Sequence, residues 1–461
     1  MESIILEPSP KPGALVKAIE NASKLNQTLL LAPGIHFTTP GVNQRIAIGA
    51  NGLQIGAAPG ESFPPSPKTA AIIMRPDFPI DPARPDSNYG LYFVPAPPIP
   101  DEIAAAQWKS HTDDHGPFEF DVVIRGSIDM TGLGVDCNMG KQHLEDLPKD
   151  AAEHSAMFSF SGQKYPTPAG PSGVRRFIYV GFDRVSLKKM MFQNGGFADD
   201  VWFSRGYFHP NIEQVILQDI ASKNRVNPRR ATISFSGLSQ SIQIKNAKIY
   251  SLHLEELSAP WSELPRRDSV FKPSMWSLSN IEAQLIGLAA KGHVFKVRGV
   301  DITVSEQFGI YEADGTISNS KLRVTSERRL FRLQTMVFDQ VTWYLPANAN
   351  GIVAGLQPTA QYGDPCFVEF RNNTFVVEGA FSSGQLIDSE YSRTVPKNHV
   401  RVICGGCSYP ASFATKNFPD THIIQAMERG TWLFETADFG DRDLAQAVVK
   451  GPQADVVVNF V

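Results

Sequence analysis

The pattern of Asp183-Arg-Val-Ser-Leu-Lys-Lys-Met-Met-Phe-Gln-Asn194 returns in Glu213-Gln-Val-Ile-Leu-Gln-Asp-Ile-Ala-Ser-Lys-Asn224. A third version is Ser241-Ile-Gln-Ile-Lys-Asn-Ala-Lys-Ile-Tyr250, in which Ile242 follows Val215 much as Val215 follows Val185. Each copy is followed by a further short strand-like run: Val201-Trp-Phe, Ala231-Thr-Ile-Ser-Phe and Leu252-His-Leu. A unit of roughly 25–30 residues with two or three short strands and no helix is too small for a propeller blade of about 40. The Asn-Gly and Asp-Gly signals of tight hairpins are also scarce. Short strands stacked in parallel form a coil whose inward side chains are hidden only by neighbouring turns. The period-two positions carry Val, Ile, Leu and Phe, as such burial requires. The fold class this predicts is all-β, a right-handed parallel β-helix.

Outside the repeat the text is less uniform. Leu15, Ile19, Ala22 and Leu25, after Pro12-Gly13, predict a helix with one apolar face. Thr28-Leu-Leu-Leu-Ala-Pro-Gly-Ile-His-Phe37 then reads as strand, turn and strand. Residues 59–100 hold 12 of the 34 prolines, a density that predicts an irregular excursion or arm. The expected organisation is a cap helix and first coils over 1–58, the Pro-rich segment over 59–118, a β-helix body over 119–407, and C-terminal coils with a cap over 408–461. Residues 101–118 and 441–449 each suggest a short helix.

Charge narrows the function classes. Lys and Arg number 43 against 47 Asp and Glu, a net charge of −4, so no basic stripe points to nucleic acid or a membrane surface. No apolar run approaches the ~18 residues that span a bilayer. The opening Met-Glu-Ser-Ile-Ile-Leu-Glu-Pro lacks a basic n-region and apolar h-region, which leads us to expect a cytoplasmic or non-classically exported chain. Four cysteines are too few for a disulfide scaffold. Cys404-Gly-Gly-Cys407 has knuckle spacing without a second ligand pair, so a strand ending in a Gly-Gly turn is the favoured reading and no metal site is expected. No cofactor is expected; Glu312 and Asp314, in an acidic turn, leave calcium open.

The amphipathic helix, the Leu-Leu-Leu-Ala-Pro-Gly-Ile-His-Phe strand-turn and the stacked short strands together resemble the pectin-lyase-like β-helix superfamily. Gly132-Leu-Gly-Val-Asp136-Cys-Asn138 is similar to a turn of many members, with Cys137 where glycine is usual. The resemblance implies an N-terminal helix capping the open end of the coil; its motifs specify the fold and not the reaction.

The candidate site follows from repeat phase. Asp199 and Asp200 precede Val201-Trp-Phe, Arg229 and Arg230 precede the equivalent strand of the next copy, and His253, Glu255 and Glu256 lie in the one after. If these groups stack at about 4.8 Å per rung, Asp200 and Glu255 stand ~10 Å apart at the backbone, near the separation an inverting glycosidase needs. Arginine between them suits a substrate carboxylate or sulfate. Asp199, Asp200, Arg230 and Glu255 are the expected catalytic groups, with Asp136, Arg229, His253, Glu256 and Trp202 binding substrate. The same charges also suit a purely structural ion-pair ladder. Asn194, Asn224 and Asn246 read as a structural asparagine column, and Trp261, Trp276 and Tyr207 as sugar platforms or packing.

Three functions fit this text. One is hydrolysis or β-elimination of an acidic polysaccharide. Another is a non-catalytic, spike-like glycan-binding rod, with oligomerisation open. The third is a β-helix enzyme, an epimerase or cyclase, acting on a small molecule.

Overall fold

The computed structural model describes residues 2–38, 45–58, 70–73, 89–96, 118–137, 156–167, 175–195, 199–203, 212–223, 232–236, 239–255, 275–289, 294–304, 308–309, 314–324, 335–346, 350–354, 366–378, 384–388, 399–411, 421–426, 430–436, 447–450 and 454–460. The chain divides into two compact units, 1–251 with 257–272, and 252–256 with 273–461. The division falls inside the segment expected to be one continuous body. Both units are parallel β-helices with three stacks of strands.

In the N-terminal unit the first stack runs through Leu29, Ile55, Met130, Leu187, Leu217 and Ile244, each paired in parallel with the next. All six are buried. The inferred register of the repeat holds here, with Val185 level with Val215 and Val215 with Ile242. The second stack joins Gly34–Phe37, Ala70–Ile73, Gly134–Asp136 and the far end of Arg175–Gln193. The third joins Arg45–Ile48, Tyr89–Pro95, Ala156–Phe160, Asp199–Phe203 and Ile233–Ser236. Its inward column is aromatic: Phe93, Phe160, Phe203 and Phe235 stack with centroids 5.2, 5.4 and 4.6 Å apart. In-register stacking forces this, because each ring finds its like one rung away.

The turn from first to second stack is a single left-handed residue, which bends a strand without ending it. Gly132, Lys189, Asp219 and Asn246 occupy it, with φ of 73°, 52°, 55° and 54°. Asn246 Nδ2 donates to Asp219 Oδ1 at 3.0 Å across the rungs. Asn246 is therefore equivalent to Asp219 and Lys189, and the expected column with Asn194 does not form. Asn194 has its own left-handed φ of 53° one stack later, and Asn224 lies outside the described residues.

Several expectations need correction. Ala70–Ile73 and Tyr89–Pro95 are rungs within the Pro-rich segment, because nearly all its prolines fall in the links. Helix Ala14–Leu25 buries Leu15, Val16, Ile19, Ala22 and Ser23 against the first coils, whereas Leu25 is 63% exposed. Ten residues at about 100° each carry Leu25 off the apolar face. Gly49 N donates to Ser23 Oγ at 3.0 Å, fixing the helix to the sheet. At the other end the helix expected at 441–449 lies outside the described residues up to 446, Ala447 is helical and Val448–Lys450 is a strand, and Thr421–Ala426, Gly430–Thr436 and Ala454–Phe460 continue the stacks. The expected helix at 101–118 lies outside the described residues up to 117, and Phe118 opens a strand. An antiparallel hairpin, Gln163–Thr167 against the start of Arg175–Gln193, is appended to the parallel sheets.

The C-terminal unit repeats the plan, with its first rungs, from Leu278 to Phe338, more closely spaced in sequence. Leu278, Val297, Ile317, Phe338, Phe370 and Cys404 form one inward column. Its corner column is Asn280, Gly299, Asn319, Gln340, Asn372 and Gly406, all with φ between 47° and 64°. One residue further on, buried side chains satisfy the corner's carbonyls. Ser320 Oγ donates to Ser318 O at 2.6 Å, Asn373 Nδ2 to Arg371 O at 2.9 Å and to Phe338 O at 2.8 Å, and Cys407 Sγ to Gly405 O at 3.8 Å. Cys404-Gly-Gly-Cys407 is thus a strand end and corner, as the favoured reading held. Among the described residues no group of three or more His, Cys, Asp or Glu could hold a metal.

Candidate functional site

Strand Asp199–Phe203 carries the first two predicted catalytic groups, and its alternation separates them. Val201 and Phe203 face inward, level with Phe158 and Phe160 below and Ile233 and Phe235 above. Asp199 therefore shares the inward phase, and Asp200 the outward phase with Trp202. The pair cannot act together on one face.

Asp200 is only 2% exposed. Cys137 Sγ lies 3.5 Å from its Oδ1, and a Cβ on Gly195 would collide with the same oxygen. Glycine is required at 195 for this close approach. Asp136, named from the turn motif, is at the same corner: its carboxylate accepts from Gln193 Nε2 at 3.0 Å and from Asn194 Nδ2 at 3.0 and 3.1 Å. The structure thus joins Asp136-Cys137 of one rung to Gln193-Asn194-Gly195 and Asp200 of the next. The link is a polar corner, half-buried at Asp136, Gln193 and Asn194 and buried at Cys137 and Asp200, and Asp200 offers a polymer no open carboxyl.

The expected ladder took the third-stack step to equal that of the first stack, which would set Arg230 above Asp200. Val201 pairs instead with Ile233. One step back on both strands, the residue level with Asp200 is Thr232, two beyond Arg230. The link between second and third stacks is longer here than the first-stack repeat implied. Thr232 N donates to Ser251 O at 3.0 Å, and Ser251 N to Thr232 Oγ1 at 3.4 Å. Arg229, Arg230 and Glu256 lie outside the described residues. His253 is half-buried and Glu255 ends strand Ser239–Glu255; both belong to the other unit.

Trp202 is buried rather than an open platform, and Tyr92, half-buried, packs against it and Ala156. Tyr92, Ser159, Trp202 and Ser234 form one outward column on successive rungs. Trp276 is buried, and Trp261 and Tyr207 lie outside the described residues.

The C-terminal unit presents a more accessible arrangement, a partly exposed face that sequence reasoning missed. On its second stack Glu282, Asp301, Lys321, Thr342 and Thr374 form one outward column, and Gln284, Thr303, Arg323, Tyr344 and Val376 the next. The Arg323 guanidinium lies 4.6 Å from the centroid of the Tyr344 ring. Behind this face Ile302, Leu322, Trp343 and Phe375 are buried. The signal was present as polar-apolar alternation, but only the vertical register shows that Lys321, Arg323 and Tyr344 are neighbours.

No family model matches the chain, and no curated protein matches it. Among solved structures it is similar to PfbA, a surface adhesin of Streptococcus pneumoniae, with a TM-score of 0.33 and 9% identity over 99% of this chain and 91% of that one. A likeness of this degree assigns neither family nor function, and the fold rests on the strand pairing itself.

Proposed function

We propose that the chain is a carbohydrate-binding β-helix of pectin-lyase-like type that holds an acidic polysaccharide without cleaving it. The observation that carries this reading is the pairing of Arg323 with Tyr344 on the partly exposed face of the C-terminal unit. Arg323 over Tyr344, with Lys321 beside it, combines a planar donor fork for carboxylate or sulfate with a ring for the apolar face of a sugar. Rungs about 4.8 Å apart offer a long, regular contact to an extended chain. Cleavage receives less support, because the Asp200 carboxylate is 2% exposed and shut in against Gly195.

The test is binding of the full chain to immobilised acidic and neutral polysaccharides, with the length of the recovered polymer measured. Salt-sensitive binding to acidic polymers is expected, weakened about fivefold to tenfold by Tyr344→Ala or Arg323→Ala, with polymer length unchanged. Shortened polymer, an unsaturated product absorbing in the ultraviolet, or binding indifferent to both variants contradicts the reading.

A further inference from the structure

Lys188, Gln218 and Lys245 are level on three successive rungs of the first stack in the N-terminal unit. Their chain neighbours Leu187, Leu217 and Ile244 are buried, so the three share the outward phase; Lys188 and Lys245 are exposed and Gln218 is half-buried. At about 4.8 Å per rung, the two lysines stand ~10 Å apart at the backbone with one amide between them. Three more exposed lysines adjoin this column: Lys189 at the corner, and Lys223 and Lys248 on the second stack. The carboxylate among them, Asp219, is half-buried and accepts from Gln218 Nε2 at 3.2 Å and from Asn246 Nδ2 at 3.0 Å. Asp136, two rungs below Lys223, is held by Gln193 and Asn194. Asp183 and Glu213, both exposed, lie roughly 16 Å back along the strands from Lys188 and Gln218. On the rungs from Lys188 to Lys245 the described face thus sets five lysines against one engaged carboxylate, in a chain whose net charge is −4.

We propose that this face binds a sulfated polysaccharide in which charged and uncharged sugars alternate. The site is separate from the Arg323 and Tyr344 pair and does not depend on it. The column selects an intermittent charge, because an amide stands between its two cations. The Gln218 amide, with its Nε2 given to Asp219, takes a sugar hydroxyl proton at Oε1. A nucleic-acid strand carries a phosphate about every 3.4 Å, roughly three times as dense as the cations of the column. Lysine donates from a compact ammonium that turns freely, which suits the oxygens of a sulfate; no arginine fork for a planar carboxylate lies among these residues. Tyr250 is 38% exposed two residues after Lys248, and its N donates to Ser222 Oγ at 2.8 Å. Its ring suits the C–H face of a sugar. Among the described residues it is also the one exposed large apolar side chain of this face, too little to bury among acyl chains.

The test uses the full-length chain carrying Arg323→Ala and Tyr344→Ala, so that its binding does not report the C-terminal face. Soluble fragments of kappa-carrageenan, with sulfate on every second sugar, are compared with fragments of uncharged agarose and with polygalacturonate. Duplex DNA and vesicles of equal parts phosphatidylserine and phosphatidylcholine represent the other polyanions. Kappa-carrageenan is expected to bind tightest, with an affinity that falls as salt rises. Adding Lys188→Gln with Lys245→Gln should weaken it about tenfold. Lys223→Gln with Lys248→Gln should weaken it about threefold to tenfold and serves if the first pair does not fold. An unchanged melting temperature shows that a variant keeps its fold. The proposal is overturned if kappa-carrageenan does not bind this chain, whatever the unsubstituted chain does. It is also overturned if the folded glutamine variants bind equally well, or if agarose, polygalacturonate, DNA or vesicles bind more tightly.

Discussion

The two units use one rung plan and differ in what they do with its links. In the N-terminal unit the chain makes long detours between Ile55 and Met130 and between Met130 and Leu187, and a much shorter one between Leu187 and Leu217. In the C-terminal unit the steps from Leu278 to Val297, Ile317 and Phe338 are shorter still and almost equal. The inward columns and left-handed corners are the same in kind, so the core does not depend on link length. This follows from the weak growth of closure entropy with loop size. What changes in the two faces described is cover: the outward column of the third stack in the N-terminal unit is mostly buried, and that of the second stack in the C-terminal unit is partly exposed.

If the inward columns hold both units, the largest effect comes from the aromatic stack. Phe203→Ala removes a ring between two others and is expected to cost about 3–5 kcal/mol in urea unfolding. A loss well below about 1 kcal/mol breaks the equivalence of the stacks. Next comes the corner support particular to the C-terminal unit. Asn373→Ala deletes two donations to backbone carbonyls and the acceptor of Trp343 Nε1 at 3.0 Å, an expected loss of about 2–3 kcal/mol by the same measurement.

The third prediction concerns pH and only the C-terminal unit. Burial raises the Cys404 thiol well above its ordinary value, and the adjacent Cys407 pushes it the same way, so the folded state favours the neutral form. Burial likewise raises the Tyr409 phenol, which stacks on Phe375 with centroids 5.5 Å apart. Both groups have folded values above their unfolded ones. Their stabilisation is therefore complete below the unfolded thiol value of about 8.5 and declines as pH rises above it. Urea midpoints of the C-terminal unit at neutral and at alkaline pH should show the decline, and Cys404→Val should flatten it. An alkaline profile identical in the variant contradicts the assignment.

The smallest effect tests the shared corner. Lys189 has a φ of 52° where the other rungs of the N-terminal unit use Gly132, Asp219 and Asn246, so Lys189→Gly should stabilise by up to about 1 kcal/mol. Destabilisation would show that the lysine side chain contributes more than its backbone strain costs.

The fold was legible because burial in a coil writes a period of two within strands and a nearly constant interval between them, as Val185, Val215 and Ile242 show. The candidate site was not, because that interval belongs to the first stack alone. Asp200 lies on the third stack, where the rung step to Ile233 is set by a different link. A slightly longer link moves Thr232 to the place inferred for Arg230. Alternation could have shown that Asp199 and Asp200 diverge. The cluster of Lys321, Arg323 and Tyr344 depends on rung steps such as Arg323 to Tyr344, shorter than the repeat in the clearest copies.

In-register parallel stacking underlies every neighbour named, and paired cysteines test it most directly. Lys296 and Thr316 are exposed and level on adjacent rungs, and parallel neighbours about 4.8 Å apart suit a disulfide. Lys296 and Ser318, out of step along the strand, are separated by about 8 Å, beyond bridging range. The account predicts that oxidation closes the bridge in the Lys296→Cys, Thr316→Cys chain and not in the Lys296→Cys, Ser318→Cys chain, as mapped by mass spectrometry. Closure of the second pair in preference to the first would contradict it.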